Sequence, residues 1–428
     1  MIVRGVSTDA PSTVPITHVV WYTEIGEERV ATDAMTRQQL FLERALWRSM
    51  EPLAPVHINT TVHPEDQMLT FAEKRTRSSD VALTGYHEVA LQQLRTNLQL
   101  MDWRFGDVSN VGPILDFASG FGRMIRLLVV SVPKSDIWVS DIQADAVAFQ
   151  QEQFGVHGIA STTTPEEFEP GRTFNFISVA SLFSHLPDDL FTRWLVKLYS
   201  LLNPGGLLCF SVHDQVLLGE VRALPESGID FDHTSENDAL DTSVYGTTHV
   251  SEAYVQRAVQ RASGSSAFIR IKRALAYEQD MYVLQKGEAS AAAPFRFEYG
   301  PWGWVDQARM TQPGRLFLSG WAATVDTETS ITSVEVRLDG KLAQVCMPNF
   351  QRDDVRAHFG NDAFGFAISD GSGTTRIACD SEAFSGCGWE CHVPCDATNP
   401  GHFLEVTAVA SNGWRCPLYL GSIENALN

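Results

Sequence analysis

From about Val81 onward, short apolar runs alternate with stretches whose apolar residues recur every three to four positions. The runs PILDFA, DIWVSDI, GIAS, FNFISVAS and GLLCFSVHD predict strands, and YHEVALQQLRTNLQLM, GRMIRLLVVSV, ADAVAFQQEQF and LFTRWLVKLYSLL predict helices. This alternation implies a mostly parallel sheet covered by helices on both faces. Such sheets bind ligands at the carboxyl ends of their strands. The flanks differ. Residues 1–80 combine a strand-like piece (ITHVVWYT), a helical stretch from Arg37 to Met50 and a charge-rich segment, EKRTRSSD, that reads as a loop. Near Gly287 the small-residue run GEASAAAP reads as a linker. Beyond it GRLFLSGWAA, SVEVRLDGKLAQVCM, GFAIS and FLEVTAVAS alternate in twos between DG, DGSG and NG turns, as a β-sandwich does. The expected organisation is an N-terminal α/β extension (1–80), a Rossmann-like α/β domain (81–287), a linker (288–294) and a sandwich-like all-β domain (295–428).

The loop Asp116-Phe117-Ala118-Ser119-Gly120-Phe121-Gly122 joins a buried strand to a helix. Glycine lets backbone approach a ligand closely, and a helix N-terminus offers N–H groups to an anion. A glycine-rich turn also occurs in dinucleotide-binding proteins, but the third glycine of the G-x-G-x-x-G fingerprint is replaced here by Ile125. Asp141 ends the strand DIWVSDI, twenty-five positions after Asp116. A carboxylate there accepts hydrogen bonds from two adjacent ribose hydroxyls, which fits an adenosine. Pro204, Gly205 and Gly206 end a helix and reverse the chain into a strand.

Taken in order, ILDFASGFGR, WVSDI, FNFISVASLFSHL and LLNPGGLLCFSV resemble the class I S-adenosylmethionine-dependent methyltransferases over about residues 81–286. The resemblance implies a Rossmann-like domain with S-adenosyl-L-methionine as cofactor. It assigns Asp116, Ala118, Ser119, Gly120 and Gly122 to the methionine end and Asp141 to the ribose. Ile142 would pack on adenine, Ser161 or Thr162 would lie near its edge, and Ser181 would border the cofactor at the fourth strand end. Ala118 stands where glycine is commonest in that family, and Asn175 where many relatives have Asp. The region from Phe295 resembles β-sandwich modules appended to bacterial glycan-assembly enzymes, through GWAATVD, VEVRLDG and QRDDVRAHFG.

Methyl transfer to oxygen needs a base as well as alignment. His213 is the first candidate, followed by Asp214 and by His249 in YGTTH; His185 is a further one, while Tyr245 and Asp280 are candidate pocket walls. Cys387, Cys391, His392 and Cys395 raise zinc ligation, but their spacing lacks the paired C-x-x-C of a finger and suits inward-facing thiols on a strand, so no metal is expected. Trp302, Trp304, Trp321, Trp389 and Trp414 read as sandwich core or interdomain packing before sugar platforms. Seven cysteines, mostly late in the chain, do not resemble a secreted disulfide framework.

With 52 Asp and Glu against 32 Lys and Arg, the chain carries a formal charge of -20, which disfavours nucleic acid and anionic membranes. No apolar run reaches the roughly 18 residues of a membrane span, and no signal-peptide core is visible, so a cytoplasmic protein is expected. The sequence leaves the oligomeric state open. Its functional expectation is methyl transfer to a small-molecule or glycan acceptor, at oxygen. The alternatives are a methyltransferase-fold scaffold that has lost transfer, and a nicotinamide-dependent oxidoreductase.

Overall fold

The structure, a computed structural model, describes residues 34–50, 57–219, 222–235, 240–287, 294–312, 314–326, 328–359, 363–378, 384–395 and 402–427. The strand-like ITHVVWYT and all but the last residue of the expected linker lie outside these.

The central sheet forms where the apolar runs predict it. Strands β1 (Ile114–Phe117), β2 (Ile137–Asp141), β3 (His157–Ala160), β4 (Phe174–Val179) and β5 (Leu202–Asp214) lie parallel in the order β3-β2-β1-β4-β5. Beyond β5 the sheet continues antiparallel through β9 (Gln279–Gln285) and β8 (Phe268–Leu275). Consecutive strand residues divide between two cores, as period-2 side chains must. Ile114, Phe176 and Leu207 face the core that also holds Leu94 and Met101 of helix α3 and Leu128 of α4, whereas Leu115, Ile177 and Leu208 face Phe191 and Leu195 of α6 and Val255 of α7. Here α3 is Ser79–Phe105, α4 Ile125–Ser131, α6 Asp188–Ser200 and α7 Glu252–Ser263, with α5 (Ala144–Phe154) between β2 and β3.

Two expectations on the N-terminal side change. The helix expected from Arg37 is α1, Ala34–Ser49, and the segment expected to be a loop is helical but for two residues: its first half ends helix α2, Gln67–Thr76, and Ser79 and Asp80 begin α3. The chain breaks only at Arg77 and Ser78, where Arg77 takes a left-handed φ of 58° and the Ser78 hydroxyl accepts a hydrogen bond from the Val81 N–H, capping α3. The charges of EKRTRSSD therefore decorate an exposed helix end, which charge alone does not distinguish from a loop.

The C-terminal part forms two antiparallel sheets. One comprises β10 (Trp302–Gln312), β11 (Arg315–Ala323) and β16 (Gly388–Pro394); the other comprises β12 (Ile331–Leu338), β13 (Lys341–Cys346), β17 (Phe403–Ala410) and β18 (Arg415–Ser422). Leu316, Leu318, Trp389 and Val393 meet Val334, Val336, Leu404 and Val406 in one core. Trp302, Trp321 and Trp389 are buried, as the core reading expects, while Trp304 is exposed and Trp414 lies under the Arg95 guanidinium. Alternation on β16 turns Cys391 inward and His392 outward, with Cys387 and Cys395 buried at its ends. Among the described residues, no group of three or more His, Cys, Asp or Glu is placed to hold a metal ion.

The expected boundary at residue 295 does not separate the sheets. The hairpin of β14 (Gly365–Ser369) and β15 (Thr374–Ala378), read from sequence as part of the sandwich, pairs antiparallel with β8 and extends the Rossmann-like sheet. An uncovered β8 edge would present unpaired N–H and C=O groups, and the hairpin closes it. Phe295, Trp302, Trp321 and Leu420 also join the core formed by α3 and the central sheet. No helix among the described residues is long and apolar enough to cross a membrane.

Candidate active site

A cavity of about 480 Å³ opens at the carboxyl ends of β1, β2, β3 and β4, as strand order predicts. Its floor is the loop after β1. The Ser119 N–H donates to the Ser140 carbonyl (3.1 Å) and the Gly120 N–H to Asp141 Oδ2 (2.8 Å), tying the loop to β2. Gln150, fully buried on α5, donates to Ser119 Oγ (2.9 Å) and to the Gly120 carbonyl (2.7 Å).

The two glycines do different jobs. Both have positive φ, 53° at Gly120 and 75° at Gly122. A Cβ on Gly120 would meet nothing within 4 Å, whereas one on Gly122 would lie 2.7 Å from the Phe154 ring and 2.9 Å from Gln150. Gly120 thus lines the cavity, and Gly122, expected at the methionine end, serves packing underneath. The following helix begins only at Ile125, without a side-chain cap, so the cationic element of this loop is the Arg123 side chain, not a helix N-terminus.

Of the expected cofactor residues, Asp116, Ala118, Ser119, Gly120, Asp141, Ile142, Ser161, Thr162 and Ser181 all line the cavity. Ala118 and Ser181 hold left-handed backbone, φ 56° and 57°, which costs a non-glycine residue about 1 kcal/mol or more. Ser181 is fixed there: its N–H donates to Ser211 Oγ (2.7 Å), and its hydroxyl accepts from Gln279 Nε2 (3.0 Å). Burial pushes the Asp116 carboxyl up to about 7; a hydrogen bond from Ser178 pulls it down, the Asp141 charge pushes it further up, and Arg123 pulls it down. Asp141 is likewise raised by burial, against backbone N–H groups of Gln143, Gly120 and Ile142. Burial also lowers Arg123.

The three expected bases do not line the cavity. Asp214 belongs to a buried ion-pair cluster, 2.7 Å from Arg270 Nη2, with Asp280 and Glu252 each 2.5 Å from the same guanidinium. A carboxylate so paired is a structural anchor, and Asp280, expected as a pocket wall, shares that role. His213 and His249 are register partners on β5 and β7 (Thr247–Val250), rings 5.3 Å apart. Burial, then the neighbouring His185 and His249, lowers His213 to about 4, and burial lowers His249. His185 lies between His213 and the cavity wall: its ring stacks on Tyr245, which does line the cavity, at 4.6 Å, and its Nδ1 donates to the Gly246 carbonyl (2.6 Å).

The sequence reading missed the elements that roof the cavity. Asp66, Gln67 and Met68 come from the start of α2, Gln93 from α3, and Leu240, Asp241 and Val244 from the connection before β7. Asp66 was recognisable only as a helix N-cap: it accepts from the Met68 N–H (3.0 Å) and from the Tyr86 hydroxyl (2.7 Å). Nothing in local periodicity marks a residue as part of a roof.

The cradle suits an adenosine linked to an amino acid. It presents two buried carboxylates, an arginine, an unobstructed Gly120 backbone and apolar walls. A family model described as a methyltransferase domain matches residues 88–251. No curated protein matches the chain. Among solved structures, the DhpI complex with SAH is similar at 15% identity and a TM-score of 0.35, covering 52% of this chain and 97% of the other. The glycopeptide N-methyltransferase MtfA with sinefungin is similar at 15% and 0.34, covering 45% and 94%. Magnesium protoporphyrin IX methyltransferase (ChlM) from Synechocystis PCC 6803 with SAH is similar at 13% and 0.33, covering 49% and 86%. None of these likenesses is strong enough to carry an acceptor over to this chain.

Proposed function

We propose, from the premise that residues 88–251 are a methyltransferase domain using S-adenosylmethionine, that the cavity holds this cofactor against a small-molecule acceptor enclosed with it. The observation that carries the reading is the pair Asp116 and Asp141. Both are buried at the cavity floor, and among the described residues neither forms an ion pair with a protein cation. A buried carboxylate without a paired cation is costly even when hydrogen-bonded, and a cationic, hydroxyl-rich ligand relieves that cost.

Asp116 would take the cofactor's ammonium and Asp141 its ribose hydroxyls, each oxygen of Asp141 keeping a second lone pair beside its bond to Gly120 or Gln143. Arg123 would take the carboxylate. Ile142, 42% exposed, would cover adenine, with Ser161 or Thr162 at its edge and Ser181 beside the reacting end. When bound, the cofactor supplies a methyl group on a sulfonium, transferred by in-line displacement, so much of the chain's work is alignment. The roof from α2 and residues 240–245 would close over the reacting groups and limit water.

Beyond the cradle the wall is mixed, with Met68, Leu182, Leu186, Leu240 and Val244 beside Gln67, Gln93 and Asp241, and the apolar share favours a less polar acceptor than a glycan. The nicotinamide alternative loses its basis with the family match. Isothermal titration of the full chain with S-adenosylmethionine tests the reading: saturable binding is expected, and none at millimolar cofactor would overturn it. Transfer of label from methyl-labelled cofactor to small molecules of a cell extract separates an enzyme from a scaffold that only binds.

A further inference from the structure

Three features of the cavity bear on what the acceptor is. The first is apolarity. Past the cofactor cradle, the cavity wall includes Met68, Leu182, Leu186, Leu240, Val244 and Tyr245, with Gln67 and Gln93 as its uncharged polar members. Val244 is 41% exposed, and so is Phe71, one turn beyond Met68 on α2. That helix carries Met68, Leu69, Phe71 and Ala72 yet buries none of its residues fully. Apolar surface left open and continuous with a cavity gains by covering an apolar ligand.

The second is charge. Asp66, Asp116, Asp141 and Asp241 line the cavity, against Arg123 alone. The cofactor carries one net positive charge, from sulfonium and ammonium less carboxylate, so the loaded cavity stays negative. Asp241 is fully exposed at the mouth, where its carboxylate accepts the Ser243 N–H at 2.9 Å. An anionic acceptor meets repulsion there and a cation is drawn in.

The third is proton handling. Among the described residues lining the cavity there is no histidine or lysine, and His213 and His249 stand outside it; of its carboxylates, Asp66 is held by the Met68 N–H and the Tyr86 hydroxyl, Asp116 and Asp141 would be taken by the cofactor's ammonium and ribose, and Asp241 stands at the mouth. A neutral alcohol would need a base in contact with its hydroxyl, whereas an amine brings its own lone pair once deprotonated.

Resting on the methyltransferase reading above, we propose that the acceptor is an apolar molecule bearing an amine. The ammonium form is collected by Asp241 at the mouth. The carboxylates that collect the ammonium also favour it, so transfer runs through the fraction that is free amine, its proton having left to water at the mouth. The nitrogen lone pair then forms a bond to the methyl carbon as the carbon–sulfur bond breaks, its electron pair returning to sulfur. The methylammonium product sheds a proton to water on release.

The test uses the full chain saturated with S-adenosylhomocysteine and three probes of one shape, phenethylamine, phenethyl alcohol and hydrocinnamate, each titrated calorimetrically. The amine is expected to bind at least about tenfold more tightly than the carboxylate. Asp241→Asn narrows that gap, and Val244→Asp weakens phenethyl alcohol. Equal or tighter binding of hydrocinnamate overturns the proposal. So does an alcohol that matches the amine, an amine-to-carboxylate gap untouched by Asp241→Asn, or no binding by any probe. If S-adenosylhomocysteine itself fails to bind, the cofactor reading falls and this inference with it; if it binds and the probes behave otherwise, only the inference falls.

Discussion

Asp116 and Asp141 on β1 and β2, and Asp214 and Asp280 on β5 and β9, are two pairs of buried carboxylates on one sheet, and they have opposite fates. The second pair is closed by Arg270, whose guanidinium bonds to both and to Glu252; burial alone would lower Arg270, but Tyr282, Asp280 and Asp214 hold it raised. The first pair faces a cavity, and among the described residues no protein cation forms an ion pair with either carboxylate. Identical side chains at neighbouring strand ends thus become a cornerstone or a binding site, according to whether the fold supplies the cation.

Removing that cation should produce the largest effect. Arg270→Ala leaves Asp214 and Asp280 in the interior without a cation, while Glu252 keeps Arg376, and loss of one partner of a buried ion pair costs about 3–5 kcal/mol. Urea unfolding of the full chain should show a loss of this size, with cofactor affinity of the folded protein nearly unchanged. A small stability loss coupled to a large affinity loss would erase the distinction between the two pairs.

Asp141→Ala should do the reverse. Hydrogen bonds to a charged acceptor contribute about 1.5–3 kcal/mol each, so affinity for S-adenosylhomocysteine should fall by one to two orders of magnitude, with at most a modest change in the urea midpoint. Unchanged affinity would mean that the ribose lies elsewhere.

The open pair should also report pH. Burial holds the Asp116 carboxyl up at about 7, so it is protonated below that value and charged above it. A cationic group needs the charged form. Affinity should therefore fall as pH drops through 7, approaching about tenfold per pH unit on the acid side. Stability runs the other way: with a folded value above the unfolded one, the cost of burying the charge is present above pH 7 and fades as the pH falls. Ser178→Ala removes a hydrogen bond that lowers this group, so the midpoint of the binding curve should move upward. A midpoint that stays in place in the variant would show that another group titrates.

The contrast also explains what was legible beforehand. The cofactor half lies where strand ends meet loops a few residues long, so order along the chain predicts order in space, and nine of its expected residues line the cavity. The catalytic expectations were of the same kind, residues just past a strand end, but whether His213 and Asp214 face inward depends on Arg270 of β8 and on the β7 pairing, both far away in sequence. Both Asp214 and Asp141 are buried, and only the cation that distant Arg270 brings to Asp214 separates them. The hairpin at 365–378 eluded the sequence reading for a related reason, since period-2 alternation marks a strand without saying which sheet it joins.

The smallest effect lies in the loop itself. Ala118 occupies left-handed backbone, at φ 56°, where the resembling family most often has glycine. Relief of Cβ strain favours Ala118→Gly by about 1 kcal/mol, and the added freedom of glycine in the unfolded chain offsets roughly half to all of it. Net stabilisation between zero and about 0.5 kcal/mol is therefore expected, read as a small rise in the urea midpoint. Because the backbone already adopts the conformation that glycine would take, cofactor affinity should be nearly unaltered. A large gain in affinity would mean instead that the alanine methyl obstructs the cradle, and that this chain has traded cofactor binding away at the position where it departs from the pattern.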